Sequence, residues 1–329
     1  MRQVKTRGPQ SKGTRGGSAR HGPPKEGVSL LEILIVVSLL GVIGGAIGTT
    51  LLRQQQFFRG TAELLSARAG VRDAAEILSS DIMGTSVRGD TLRLMADSAI
   101  ELFVNIGSSV ACDIQSGRAI TLPPESVAAG NTLTALLVEP DTGDLALIHR
   151  DSADASGSEW ERHRIAAVSG KSAPSSCMSA FGGALPIEGG LPAGGFVLSL
   201  ETSASAHVTR GAPIRFVRRV RYSLYRATDR RWYLGYRRCN AIGPSVCGAV
   251  QPVSGPFRPY TSDSATSGLF FRYLDSAGRS LGPGDSPLAL ARVEIVARAG
   301  PTGQFPPGGP VRASGDSMRA AIAPRNREP

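Results

Sequence analysis

Lys25-Glu26-Gly27-Val28-Ser29-Leu30-Leu31-Glu32 is the stretch on which the reading of this chain turns. A charged segment rich in Gly, Pro and Ser precedes it. An apolar run follows as far as Leu52, and Arg53 closes the run. From Val28 to Leu52 there is no Asp, Lys, Arg or His, and Glu32 is the only charge. At about 1.5 Å per residue this run makes a helix of roughly 37 Å, enough for a ~30 Å hydrocarbon core. A carboxylate inside such a segment costs about 3 kcal/mol in lipid, so Glu32 calls for a partner. The competing readings are an ordinary signal anchor, which has no reason to place Glu at this spot, and a cleaved secretory signal. The second has a shorter apolar core with a small-residue cleavage site after it. Here Gly27 stands before the core, and the core is long enough to remain as an anchor.

Gly27-Val28-Ser29-Leu30-Leu31-Glu32 ahead of an apolar helix resembles the prepilin-type cleavage and methylation signal, usually Gly-Phe-Thr-Leu-Ile-Glu. That signal belongs to type IV pilins and type II secretion pseudopilins. The resemblance implies cleavage by a prepilin peptidase between Gly27 and Val28, and N-methylation of Val28. It implies that Glu32, then the fifth residue, pairs with the N-terminal amine of a neighbouring subunit. Electrostatics agrees, since buried opposite charges are tolerated when paired. Val28 stands where the family usually has Phe. The implied location is the inner membrane, crossed once, with the C-terminal domain in the periplasm. The implied partners are the peptidase, other minor pilins or pseudopilins, and a major pilin.

Charge is unevenly spread. Arg2, Lys5, Arg7, Lys12, Arg15, Arg20 and Lys25 against Glu26 put +6 of the formal +10 into the first 27 residues, leaving +4 for the rest. This fits the positive-inside rule rather than a nucleic-acid footprint, and nucleic acid is not expected as a partner. The leader's composition predicts disorder. All four cysteines, Cys112, Cys177, Cys239 and Cys247, follow the apolar run, in the part expected outside the cytoplasm, where disulfides persist. Four cysteines allow three pairings. The spacing and the Gly-Pro turn between Cys239 and Cys247 favour joining those two, and Cys112 with Cys177 by elimination. No CxxC or adjacent His suggests zinc.

Within the apolar run, Gly41, Gly44, Gly45 and Gly48 form two overlapping GxxxG spacings. They suit close helix packing, but glycine is also common in membrane helices. Beyond Arg53 the helix is expected to continue as an amphipathic one to about Gly84. Phe57, Leu64, Val71 and Leu78 recur every seven residues, with Phe58, Leu65, Ile77 and Ile82 beside them. Gly60 and Gly70 are expected to weaken it locally.

After Gly84 the texture changes to short strands with turns between them. Strands are predicted at 92–95, 99–105, 119–122, 132–138, 145–149, 160–168 and 196–200. A hairpin follows, with Ile214, Phe216, Val220, Tyr222 and Leu224 on one face, a turn at 227–230, and a return through Trp232, Leu234 and Tyr236. Arg218 is the exception on the apolar face. A last pair is predicted at 269–274 and 288–297. Segment 139–144 reads as a turn rather than a calcium loop, because its acids lack that spacing. Residues 151–195 read as a loop insertion, and the Pro/Gly-rich tail 299–329 as disordered. The expected organisation is a leader (1–27), a transmembrane and assembly helix (28–84), and a β-rich head (85–298). The fold class is α+β and pilin-like: a long N-terminal helix packed on an antiparallel sheet. The patterns Val-Arg-Tyr-x-Leu-Tyr-Arg (220–226), Phe-x-Tyr-Leu-Asp-x-x-Gly (271–278) and Val-Glu-Ile (293–295) are similar to PilW-like minor pilins and the J-class pseudopilin of type II secretion.

Motifs of enzymes are missing: there is no GxSxG, HExxH or P-loop. No catalytic residue, metal or cofactor is expected. His149 and His163 with their neighbouring acids are read as loop residues. Arg215, Arg219 and Arg221, with Arg237 and Arg238 nearby, form the candidate partner surface. The sequence thus points to a minor pilin or pseudopilin that primes or caps a fibre. Its size favours a low-copy subunit over the repeating one. The alternative is a singly anchored periplasmic binding protein or enzyme.

Overall fold

The computed structural model describes residues 27, 29–85, 92–123, 133–151, 160–169, 187–188, 191–192, 195–300 and 317–324. The leader up to Glu26, Val28, Cys177 and most of the 151–195 insertion lie outside the described residues. One helix, α1 (Leu30–Gly84), precedes the strands. These are β1 (Leu92–Ala96), β2 (Ala99–Val110), β3 (Asp113–Gln115), β4 (Ala119–Leu122), β5 (Ala135–Leu136) and β6 (Leu145–His149). Then come β7 (Trp160–Ser169), β8 (Ile187–Glu188), β9 (Leu191–Pro192), β10 (Phe196–Leu200), β11 (Pro213–Arg226) and β12 (Trp232–Arg238). The last are β13 (Gln251–Phe257), β14 (Leu269–Leu274), β15 (Ser280–Leu281), β16 (Arg292–Arg298) and β17 (Ser317–Ile322). The fold is α+β, and every strand pairing among the described residues is antiparallel.

The chain divides into two compact units, residues 1–57 and 58–329. In the first, the described part of α1 exposes its apolar side chains, from Leu30 and Leu31 to Leu51 and Leu52. This helix is long and apolar enough to cross a membrane.

In the second unit an 11-stranded sheet runs β1-β2-β11-β6-β7-β10-β4-β3, with β12 and β13 extending it beside β11 and β5 beside β2. The long strand β11 is its axis. It pairs with β2 along one side, and with β6 and then β12 along the other. Its even-numbered apolar residues Ile214, Phe216, Val220, Tyr222 and Leu224 are buried, as the alternation predicts. The register with β2 slips between Phe216 and Val217, where β2 carries one extra residue at Ile106.

The helix buries Ala67, Val71, Ala74, Leu78 and Ile82 in the same core. These recur at steps of three and four, the period of one helix face. The predicted heptad face is corrected at its start: Phe57, Phe58 and Leu65 are exposed, the Leu64 side chain lies outside what is described, and Ala67 is the first described residue to be buried. Small residues explain the offset, because they let the sheet come close. A Cβ on Gly70 would lie 2.7 Å from the carbonyl oxygen of Gly255. The Ser254 hydroxyl donates a hydrogen bond to the Gly70 carbonyl. Gly70 is thus a point of contact rather than only a weak spot in the helix.

A second sheet runs β15-β14-β16-β17. Its Tyr273 hydroxyl donates to the carbonyls of Ala96 and Ala99, each at 3.0 Å. The Phe271 N–H donates to the Asp97 carbonyl at 2.8 Å. These bonds hold the second sheet to the β1–β2 turn. Three expectations are corrected here. Residues 317–322 of the supposed disordered tail form β17 on β16. The strand predicted from Leu288 starts at Arg292, because Pro287–Ala289 make a 3-10 turn whose Leu288 N–H donates to the Ser286 hydroxyl. The strand predicted over 132–138 is reduced to Ala135–Leu136.

Candidate assembly segment and stapled sheet face

The apolar part of α1 satisfies its own polar groups. Ser38 donates to the Ile35 carbonyl, and Thr49 and Thr50 both donate to the Ala46 carbonyl, at 2.8 to 2.9 Å. No hydroxyl here needs water, which suits an apolar medium. The Glu32 and Ile33 N–H groups donate to the Ser29 carbonyl, so the helix begins directly after the Gly27-Val28-Ser29 step. Glu32 lies in its first turn, where the helix dipole favours a carboxylate. Its side chain is exposed and has no partner among the described residues. Gly41, Gly44, Gly45 and Gly48 face open space: a Cβ added at any of them meets nothing within 4 Å. Among the described residues, no part of this chain packs on them.

On the head, Cys239 and Cys247 are joined by a disulfide, as the spacing suggested. Cys112 is buried and disulfide-bonded; Cys177, its expected partner, lies outside the described residues. The loop closed by Cys239 and Cys247 sits over the sheet face that carries Arg219 and Arg221. Glu101 of β2 organises this face. Its Oε1 accepts from Arg219 Nε at 2.6 Å and Nη2 at 2.5 Å. Its Oε2 accepts from Arg221 Nε at 2.7 Å and Nη2 at 2.6 Å, and from Ser245 Oγ at 2.8 Å. Arg219 also donates to the carbonyls of Asn240 and Gly243 in the loop. Phe103, Leu145 and Ala241 pack as a small apolar cluster alongside. Glu101 is 1% exposed and Arg219 5%. Burial opposes ionisation of Glu101, but hydrogen bonds from Ser245, Arg221 and Arg219 outweigh it and hold its pKa below the ordinary value.

Of the expected basic partner surface, Arg219, Arg221 and Arg238 are paired with acids of this chain, whereas the buried Nε of Arg237 has no hydrogen-bond partner among the described residues. Arg215 stacks over the Trp160 ring at 4.9 Å. Arg238 pairs with Asp141 and Asp144 at 2.7 and 3.1 Å. Arg218, on the inner face, reaches Asp144 at 2.7 Å. The same two arginines occupy Asp141 and Asp144 of the 139–144 turn, and Arg218 also donates to the Glu139 backbone carbonyl. The histidines are corrected too: both lie in strands, not loops. His163 is buried, with Nδ1 3.0 Å from the Thr202 hydroxyl and Nε2 3.1 Å from Glu161. His149 packs edge-on against Trp160.

Glu101 with Cys239 and Cys247 forms the one cluster of metal-ligating residue types among the described residues. The disulfide leaves no thiolate there, and both Glu101 oxygens are held by arginine. The sequence reading missed Glu101. Its signal was faint: a lone acid in Ala99-Ile-Glu-Leu-Phe-Val, in a chain with three arginines on one face of a later strand. No protein-family model, no curated protein and no solved structure matches this chain.

Proposed function

We propose that this chain is a minor pilin or pseudopilin that primes or caps a type IV pilus or a type II secretion pseudopilus. The observation that carries the reading is Glu32. It is the single charge of an exposed apolar helix, placed five residues after Gly27, with no counter-charge among the described residues. In lipid or in a fibre core an unpaired carboxylate is costly, so a cation from a neighbouring molecule is required. The free amine of Val28 on a cleaved neighbour is that cation. In this reading the prepilin peptidase cuts after Gly27 and methylates Val28. The helix crosses the inner membrane once, and the head lies in the periplasm. The glycines at 41, 44, 45 and 48 let neighbouring helices approach. The described α+β architecture, with the later part of the helix seated in the core of the sheet domain, supports a pilin-like head.

The test is intact-mass and N-terminal peptide mass spectrometry of protein from membranes, with and without the peptidase. A mature chain beginning at N-methylated Val28, seen only with the peptidase, is the expected result. A chain that keeps Met1, or is cut beyond residue 45, overturns the reading in favour of a singly anchored binding protein or enzyme.

A further inference from the structure

The second sheet carries a groove that the assembly role does not use. Its outer face is built by alternate residues of three strands. Phe270 stands opposite Val296, Arg272 opposite Glu294, and Val296 opposite Arg319. Residues of the other parity, such as Phe271, Tyr273, Val293 and Ile295, point into the core. With Ser264 and Ala265 as one wall, the face encloses about 310 Å³, the lower end of the range for small-molecule clefts.

The floor is apolar and the rim is cationic. Phe270 and Val296 line the floor, and Arg272, Arg298 and Arg319 the rim, against a single acid, Glu294. Arg319 donates to Glu294 at 2.7 Å, while Arg272 and Arg292 stand 3.7 and 3.6 Å from the same carboxylate. One acid therefore answers three guanidiniums. Arg298 has no acid in contact among the described residues. Its Nη1 donates to the Ser267 carbonyl at 2.9 Å. Burial and the neighbouring charge of Arg258 disfavour its cation and lower its pKa from the ordinary arginine value, an effect that the nearby Asp263 carboxylate offsets only in part. Arg298 and Arg319 are diagonal neighbours on adjacent strands, since Arg298 pairs with Ser317. Each guanidinium fork matches a planar or tetrahedral oxyanion.

We propose that this groove binds a small organic dianion with an apolar body, a phosphate monoester being the simplest case. The apolar body lies on Phe270 and Val296, and the anion sits between Arg298 and Arg319. The ligand supplies the negative charge the groove lacks, so affinity falls with salt. This site stands independently of the assembly role.

Titration calorimetry on the full chain in uncharged detergent, at low salt, tests it with phenyl phosphate, inorganic phosphate and phenol. Phenyl phosphate is expected to bind saturably at one site, inorganic phosphate at least tenfold more weakly, and phenol not at all. Arg298→Gln, which keeps a donor for the Ser267 carbonyl, is expected to weaken binding at least tenfold. Glu294→Gln is expected to tighten it several-fold by removing the competing acid. Arg272→Gln, on an exposed side chain, gives an intermediate loss should Arg298→Gln fail to fold by near-ultraviolet circular dichroism. Arg231→Gln, in the β11–β12 turn, leaves binding unchanged. No saturable heat at millimolar phenyl phosphate overturns the proposal. So does binding that Arg272→Gln and Glu294→Gln leave unchanged.

Discussion

Burial alone would push the Glu101 carboxyl toward its neutral form; Ser245, Arg221 and Arg219 together reverse that preference. A carboxylate with a lowered folded pKa stabilises the fold above its unfolded value, near 4.5, and that contribution is lost as pH falls through the folded value. Glu101→Gln removes it at every pH and leaves Arg219 buried without its counter-charge. Breaking such a pair costs about 3 kcal/mol or more. Thermal melts should show a lower Tm near neutrality and a flatter decline below pH 4.5; an unchanged acid limb would contradict this. Asp81 has the opposite sign. Burial raises its pKa by more than the 2.5 Å hydrogen bond from Tyr222 lowers it. A raised carboxyl gives its full contribution below the unfolded value of 3.8 and loses it as pH rises through the folded value. Asp81→Asn keeps an acceptor for the Tyr222 hydroxyl without the charge. Its Tm relative to the natural chain should therefore climb between pH 3.8 and 7.

Among the elements, the helix and β13 are joined by an absence of side chain. Gly70 and Gly255 meet backbone to backbone, and a Cβ on Gly70 has no room to move aside because its neighbour is a carbonyl. Gly255 also has φ +141°, a backbone region that favours glycine. Gly70→Val should destabilise the head by about 2–3 kcal/mol, the scale of overpacking a closed site. A helix-propensity effect would predict the reverse, since valine forms helix better than glycine. Urea unfolding followed by tryptophan fluorescence separates the two. The disulfide loop is a second joint. Cys239→Ser with Cys247→Ser should cost roughly 2–3 kcal/mol by the closure entropy of so short a loop. Glu101, Arg219 and Ser245 keep gripping the loop after the bond is gone, so the loss falls at the lower end. These joints were hard to read in the sequence. A strand with alternating burial, such as β10 or the first half of β11, announces its own limits. β13 does not, because Pro252, Gly255 and Pro256 interrupt its alternation. It exists because β12 offers it an edge. β17 is likewise held by β16 and not by its own pattern.

Across the whole molecule, legibility follows sequence distance. The candidate assembly segment is local: Gly27, Glu32 and the apolar run lie within one continuous stretch. The Glu101–Arg219 pair spans 118 residues, so its two halves read separately as a lone acid and a basic strand face. The same division makes the assembly role testable apart from folding. Glu32 belongs to the unit of residues 1–57 and touches no described side chain, whereas the core that melts cooperatively lies in residues 58–329. Glu32→Ala should therefore leave the Tm of the head unchanged in detergent. The same substitution should abolish recovery of the chain with sheared fibres, and the uncharged Glu32→Gln should do nearly the same, because the amide cannot neutralise a terminal amine. A fall in Tm would mean that Glu32 serves the fold. Unchanged recovery of both variants in the fibre fraction would mean that the carboxylate is not the partner of a neighbour's amine, and the apolar helix would then be an anchor alone.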